Sequence, residues 1–251
     1  MPRVYHVSDI HVGSSHFVPE LFERLIDEIH AERPDLVVLA GDLTDKGLGY
    51  QYLEAKAWID RIEAPILVTP GNHDSRNVGY VHFEELFGPR YRTHRLPGVY
   101  FVAADSSEPD LDEGRIGRTI YPWLEEALAH ADEGALKVFV THHHLLPVPG
   151  AGRERNILQD AGDLLKLLVD HGVDLVLTGH KHVPWVWRFE GMLIVNAGTA
   201  TTNRVRGKGL PSYAVLELEP ARITVRQRYY GERPEDVFVH VPRLAREVMH
   251  P

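Results

Sequence analysis

The chain contains no cysteine. That excludes disulfides, thiolate metal sites and thiol nucleophiles together. Any metal must therefore sit among imidazole, carboxylate and amide ligands. Long hydrophobic runs are also missing, and none approaches the roughly 20 apolar residues that a membrane-crossing helix needs. The start, MPRVYHVSD, reads as a strand and not as a basic-then-apolar leader. The expectation is a cytoplasmic protein with no membrane contact. Basic charge is scarce: the formal net charge is −9, which argues against a large duplex-binding surface and makes a nucleic-acid partner an unfavoured expectation. Acidity does not exclude a phosphate-containing substrate, because bound divalent ions reverse the local sign.

What is present begins with length and apolar content. With 251 residues, 43% of them hydrophobic, the chain can bury a sizeable core and does not have the composition of a disordered protein. Strand and helix patterns alternate over most of it. PELFERLIDEIHAE (19–32) places Leu21, Leu25, Ile26 and Ile29 on one helical face, and Pro34 stops it. Strand 36–40 follows, then a helix over about 50–62. Pro65 opens a third strand, and a helix over 80–87 ends near Gly88. A strand over 99–105 and a helix over 122–131 come next. The helix over 160–172 has Asp160 as its expected N-cap and Gly172 as its C-cap. After His182 the segments PWVWRFE, MLIVNAG, SYAVLELE and RITVRQRYY read as consecutive strands. The expected class is α/β followed by a β-rich part, as one domain over 1–230. Residues 231–251 read as a tail that packs on the domain or is partly loose.

Five apolar runs end at once in metal-binding residue types: VYHVSDIH (4–11), DLVVLAGDL (35–43), ILVTPGNHD (66–74), VFVTHHH (138–144) and DLVLTGHKH (174–182). Each reads as a buried strand, and the carboxyl ends of strands in one sheet converge on the edge where α/β proteins bind ligands. The endings supply Asp9 and His11, Asp42, Asn72 and His73, His142 to His144, and His180 and His182. Glycines before Asp42, Asn72 and His180 fit sharp turns with close backbone approach. Such a set suits two metal ions about 3.5–4 Å apart, an arrangement used for phosphoryl chemistry. A pair that close needs a bridging anion. Asp42 is the natural one, since the two oxygens of a carboxylate can each hold one metal. Imidazole donors favour zinc, iron, manganese, cobalt or nickel over calcium. Of the sixteen histidines, His30, His94, His130, His171, His240 and His250 stand alone and are expected on surfaces or tails.

Asp-x-His, Gly-Asp, Gly-Asn-His-Asp, a histidine after a strand and Gly-His-Lys-His occur in this order over residues 9–182. The chain thereby resembles the calcineurin-like metallophosphoesterase superfamily. With HHHLLPVPG included, it is most similar in pattern to the bacterial cyclic-nucleotide and glycerophosphodiester phosphodiesterases. The resemblance implies a four-layer α/β/β/α sandwich of two mixed β-sheets flanked by helices. It implies Asp9, His11 and His182 on a first metal, Asp42 as bridge, and Asn72, His142 and His180 on a second. His142 is preferred over His143 as the first histidine off its strand. The implied activity is hydrolysis of a small phosphodiester by attack of metal-bound hydroxide, with His73 helping the leaving group. Asp74 is expected to orient His73, with capping of the next turn as its alternative, and Asp45 is a further candidate acid supporting the site, with capping of the helix ahead as its alternative. Asn72, His73, His143 and Arg204 are the expected substrate contacts. Arg204 belongs to a loop, 196–209, that also carries Asn203, Arg206 and Lys208, and the segment 144–156 with Arg153 and Arg155 is expected as another wall. The alternatives on the same scaffold are a phosphomonoesterase or nucleotide-lipid pyrophosphatase, a DNA nuclease, and an inert scaffold. A homodimer is left open.

Overall fold

The structure is a computed structural model, and it describes residues 1–152, 157–206, 209–231 and 234–242. Arg153, Arg155, Lys208 and His250, together with much of the expected tail, lie outside the described residues.

Alternation of side chains along each buried strand sorts the chain into layers. One sheet contains β1 (Arg3–Val7), β2 (Leu36–Ala40), β3 (Ile66–Thr69), β10 (Ser212–Glu219), β11 (Arg222–Tyr229) and β12 (Asp236–His240), in the order β12-β11-β10-β1-β2-β3. The other contains β4 (Tyr91–Leu96), β5 (Val99–Ala104), β6 (Leu136–Val140), β7 (Leu175–Thr178), β8 (Trp185–Phe189) and β9 (Met192–Asn196), in the order β4-β5-β6-β7-β9-β8. Both are mixed. β1, β2 and β3 are parallel, and so are β5, β6, β7 and β9, while β10 runs against β1 and β4 against β5.

Three apolar clusters fill the spaces between layers. Tyr5, Val7, Val37 and Leu39 meet Phe22, Leu25 and Ile29 of α1 (Pro19–Glu32), Tyr52 of α2 (Gly49–Ile59) and Phe83 of α3 (Gly79–Phe87). The opposite parity, Val4, Leu36, Val38 and Ala40, packs against Phe101, Val138, Val140 and Leu177 between the sheets. Phe139 and Val176 turn outward to Leu124 and Leu128 of α4 (Tyr121–Ala129) and to Leu164 and Leu168 of α5 (Ala161–Asp170). These clusters make the expected α/β/β/α sandwich. Each fully buried Val, Leu, Ile or Phe contributes about 1.5–3 kcal/mol, so the strand registers are strongly held and their carboxyl ends have little freedom.

Local expectations differ at four places. Two strands escaped the patterning: β4, whose YRTHRL is largely polar, and β12, an edge strand on β11 within the stretch read as a tail. Asp160 precedes α5 but makes no side-chain cap bond to it. Its carboxylate instead accepts from the Ile116 and Gly117 N–H groups and the Tyr121 hydroxyl. The last residue of α5 is Asp170, and Gly172 sits beyond its end with a φ of 67°. No helix among the described residues is long and apolar enough to cross a membrane.

Candidate metal centre

All five strand endings meet at one edge of the sandwich. Asp9, His11 and His182 bring potential ligand atoms within 4.8 Å of one another, as do His11, Asp42 and His73, and Asp42, His142 and His180. Asn72 joins the last set: its Oδ1 lies 3.2 Å from His142 Nε2 and 2.9 Å from His180 Nδ1.

Turn chemistry after each strand makes this convergence sterically feasible. Gly41 has a φ of 84°, and a Cβ there would come within 2.6 Å of His142 Nδ1. A Cβ on Gly71 would meet Asp42 Oδ1 at 2.2 Å. Asp9, His11, Asp42, His180 and His182 themselves adopt left-handed backbone, with φ between 54° and 74°. They are half of the ten such non-glycine residues described. Asp and His tolerate this region better than most residues, yet it still costs of order 1–3 kcal/mol each. The surrounding hydrogen bonds therefore hold the ligand-type side chains in strained positions.

Those hydrogen bonds also fix which atoms face inward. Asp9 Oδ2 accepts from the His180 N–H at 3.0 Å, leaving Oδ1 to the cluster. Asp42 Oδ1 accepts from the His73 N–H at 2.9 Å, leaving Oδ2, which stands 3.6 Å from His11 Nε2 and 3.3 Å from His142 Nε2. Asp42 Oδ1 thus accepts a backbone N–H, while Oδ2 faces both groups of ligand atoms. Three imidazoles place Nδ1 against a backbone carbonyl, which accepts only from N–H: His182 to Arg204 at 2.7 Å, His142 to Ala40 at 2.7 Å, and His73 to Asp45 at 2.6 Å. In each, Nε2 remains for the interior, the arrangement seen behind metal-bound histidines.

The result is a crowd of acceptors. His182 Nε2 faces His11 Nε2 at 3.0 Å and Asp9 Oδ1 at 3.2 Å. Asp9 Oδ1 is buried with no hydrogen-bond partner. A proton on His11 Nε2 would join the two rings but leave Asp9 Oδ1 bare, whereas a cation among these atoms satisfies all three. Ligand atoms 2.0–2.2 Å from one ion stand about 3–3.5 Å apart, which matches these separations. The donor set therefore fits metal. The groups also create a field that favours positive charge. Burial works to raise the Asp9 and Asp42 carboxyls, but His182 and His11 around the first, and His142 and His73 around the second, hold both well below the usual carboxylate range. Burial works against a charged His142, yet the Asp42 and Asp9 carboxylates and the Ala40 carbonyl push it to about 9.

Several expected residues have other partners. Asp74, expected to orient His73, makes no side-chain hydrogen bond to it. Its buried carboxylate accepts from the N–H groups of Leu43, Thr44 and Gly71 and from the Thr44 hydroxyl, tying the β2 and β3 turns together. Asp45 is the residue beside the His73 ring, through its carbonyl and through a carboxylate oxygen at 3.9 Å. His143 does not line the cavity. It is fully buried, Nδ1 faces the Ser106 hydroxyl at 2.8 Å, Nε2 faces the Asp112 carbonyl at 3.2 Å, and burial next to His142 pushes it down to about 3. His144 stacks behind His180 with ring centroids 5.6 Å apart. Asn203 pairs with His16 at 2.9 Å. Arg204 lines the cavity together with Asn72 and His73. Patterning missed Arg76, Asp112 and Lys181, which line it too. Lys181 lies between two expected ligands, a signal available in the sequence; Asp112 has none. The isolated His30, His130, His171 and His240 bond backbone carbonyls elsewhere.

The profile of the calcineurin-like phosphoesterases matches residues 2–184. The chain belongs to that family. Membership makes it a metal-dependent phosphoesterase, in keeping with the clustered Asp and His side chains. Among relatives, a probable cyclic nucleotide phosphodiesterase of Synechococcus is 26% identical over 193 residues, covering 74% of this chain and 73% of that one. The 3′,5′-cyclic adenosine monophosphate phosphodiesterase CpdA of Escherichia coli is 28% identical over 167 residues, covering 65% of this chain and 60% of that one. A dimetal phosphatase from Danio rerio superposes with a TM-score of 0.75 at 14% identity, covering 96% of this chain and all of that one, which shows the shared fold.

Proposed function

We propose that this phosphoesterase is a dinuclear metallophosphodiesterase that hydrolyses a cyclic nucleotide or another small phosphodiester in the cytoplasm. The observation that carries the reading is the position of Asp42 Oδ2, 3.6 Å from His11 Nε2 and 3.3 Å from His142 Nε2, between two sets of ligand atoms. In this reading Asp9, His11 and His182 would hold one ion, Asn72, His142 and His180 would hold the other, and Asp42 would serve both. The thiolate-free, imidazole-rich set suits manganese, iron, zinc, cobalt or nickel. When bound, such ions make water a nucleophile near neutral pH and offset the charge of the phosphate.

The chain's own groups do the rest. The Asp45 carbonyl accepts from the Nδ1–H of His73, so Nε2 is the nitrogen turned to the substrate and, in the imidazolium form, gives its proton to the departing alkoxide and leaves the ring neutral. Lys181, Arg204 and Arg206 line one side of the cavity and complement the phosphate charge. The cavity measures about 620 Å³, within the range that takes drug-sized ligands. The named activities of the cyclic nucleotide phosphodiesterase relatives support a diester over a monoester.

The test is a panel of bis-p-nitrophenyl phosphate, p-nitrophenyl phosphate, cyclic AMP and single-stranded DNA with manganese-loaded protein. The expected order places the two diesters first. Preference for p-nitrophenyl phosphate would make it a monoesterase, and no turnover at full metal occupancy would make it a scaffold.

A further inference from the structure

Two loops are latched together beside the cavity, and each gives it lining residues. One follows β3 (72–78) and the other follows β5 (105–117). Ser75 meets Ser107 hydroxyl to hydroxyl, and the Asn77 N–H donates to Asp110 Oδ1 at 2.8 Å. At the cavity end of the latch, Arg76 Nη2 donates to Asp112 Oδ1, and the Asn72 amide donates to the same oxygen at 3.3 Å. The Asp112 carbonyl is anchored separately, on His143. Asn77, Val78 and Asp110 all have left-handed backbone, a strained conformation, most of all for a β-branched valine.

The Asp112 carboxylate is thus an anion gripped at the cavity wall by a guanidinium and by the amide of an expected metal ligand. Its side chain remains 53% exposed, so burial does not lock it in place. A phosphodiester also presents anionic oxygens and is recognised by the same donor types, with guanidinium foremost. Arg76 Nη1 lies 3.3 Å from His73 Nδ1. Because that nitrogen has committed its proton to Asp45, the contact is edge-to-edge packing and sets Arg76 beside the leaving-group histidine. The other cavity-lining cations, Lys181, Arg204 and Arg206, come from other loops.

We infer that Arg76 binds the substrate phosphate and that Asp112 is a built-in competitor, which the incoming phosphate displaces from the guanidinium. The inference rests on the phosphoester reading of the cavity and adds an exchange that regulates its affinity. Calorimetric titration of manganese-loaded protein with inorganic phosphate tests it in wild type, Arg76→Ala, Arg76→Lys, Asp112→Asn and the Arg76→Ala/Asp112→Asn double variant, with metal content measured in each. A charge-assisted pair predicts about tenfold or more weakening for Arg76→Ala. Asp112→Asn should bind several-fold tighter and lower KM for bis-p-nitrophenyl phosphate with little change in kcat. The double variant should bind no better than Arg76→Ala. A Kd within twofold of wild type for Arg76→Ala, or weaker binding by Asp112→Asn, overturns the exchange. If Arg76→Ala fails to fold or loses metal, Asp112→Asn decides alone, and Arg76→Lys should fall between. Failure of all diester turnover with this phosphate pattern intact would count against the diesterase reading only. Normal turnover without the pattern would count against the exchange only.

Discussion

His11 and His182 face each other Nε2 to Nε2 at 3.0 Å. The His182 Nδ1 proton is committed to the Arg204 carbonyl, so the facing nitrogen carries a lone pair. His11 Nδ1 is buried without a partner. A proton on His11 Nε2 joins the rings at the expense of a bare Nδ1, and a cation between or beside them takes that proton's place, with Asp42 Oδ2 supplying negative charge 3.6 Å from His11 Nε2.

Asp42→Asn keeps the shape and removes that anion. The expected outcome, read by metal analysis, is loss of at least one of two bound ions. Activity on bis-p-nitrophenyl phosphate should drop at least about a hundredfold, since even outer partners of metal ligands cost 10–100-fold. Retention of both ions would contradict the shared position of Asp42.

His73→Ala should leave metal content intact and lower kcat by about 10²–10⁴ on cyclic AMP, the range of general acid catalysis. The loss should be smaller on bis-p-nitrophenyl phosphate, because p-nitrophenolate departs without needing a proton. Equal losses on both substrates would point to a positioning role instead.

The strand endings were legible because fully buried strands are continuous apolar runs, and their turns demand glycine at Gly41 and Gly71. The choice between His142 and His143 is also written in the alternation. Leu136, Val138 and Val140 point between the sheets; continuing that parity puts 142 on the Asp42 side and 143 on the other, where Ser106 receives it. Contacts between distant loops were not legible. Asp74 meets Thr44 thirty positions away, and Arg76 meets Asp112 thirty-six away; no local spacing encodes either. The left-handed backbone at Asp9, His11 and His182 was likewise not legible, since residue type alone does not call for it.

Asp74→Asn separates two roles for this acid. An amide offers one acceptor oxygen to four donors and turns its own N–H groups toward some of them. Stability should fall by about 2–3 kcal/mol, the order expected when buried donors lose their partners, seen as a lower urea midpoint. Any loss of activity should follow loss of metal as the turns loosen. A variant of wild-type stability and full metal content with the kinetic profile of His73→Ala would restore Asp74 as the residue that orients His73.

His6 lies on the inward-facing side of β1, fully buried, where the Asp9 carboxylate and the Thr178 backbone favour its charged form only weakly. Burial pushes it from 6.5 down to about 3. Between those values the unfolded chain binds a proton that the folded chain does not. This share of stability is complete above pH 6.5 and is lost as pH falls toward 3. At pH 5 the loss from His6 is about 2 kcal/mol. His6→Leu, which fills a similar volume among Val4 and its apolar neighbours, removes the titrating group. Urea unfolding at saturating manganese should show a drop between pH 7.5 and pH 5 that is smaller in the variant than in wild type by about that amount. Equal drops in the two proteins would mean that His6 accepts its proton in the folded state as readily as in the unfolded chain, and that the space between the sheets is not closed to charge at that point.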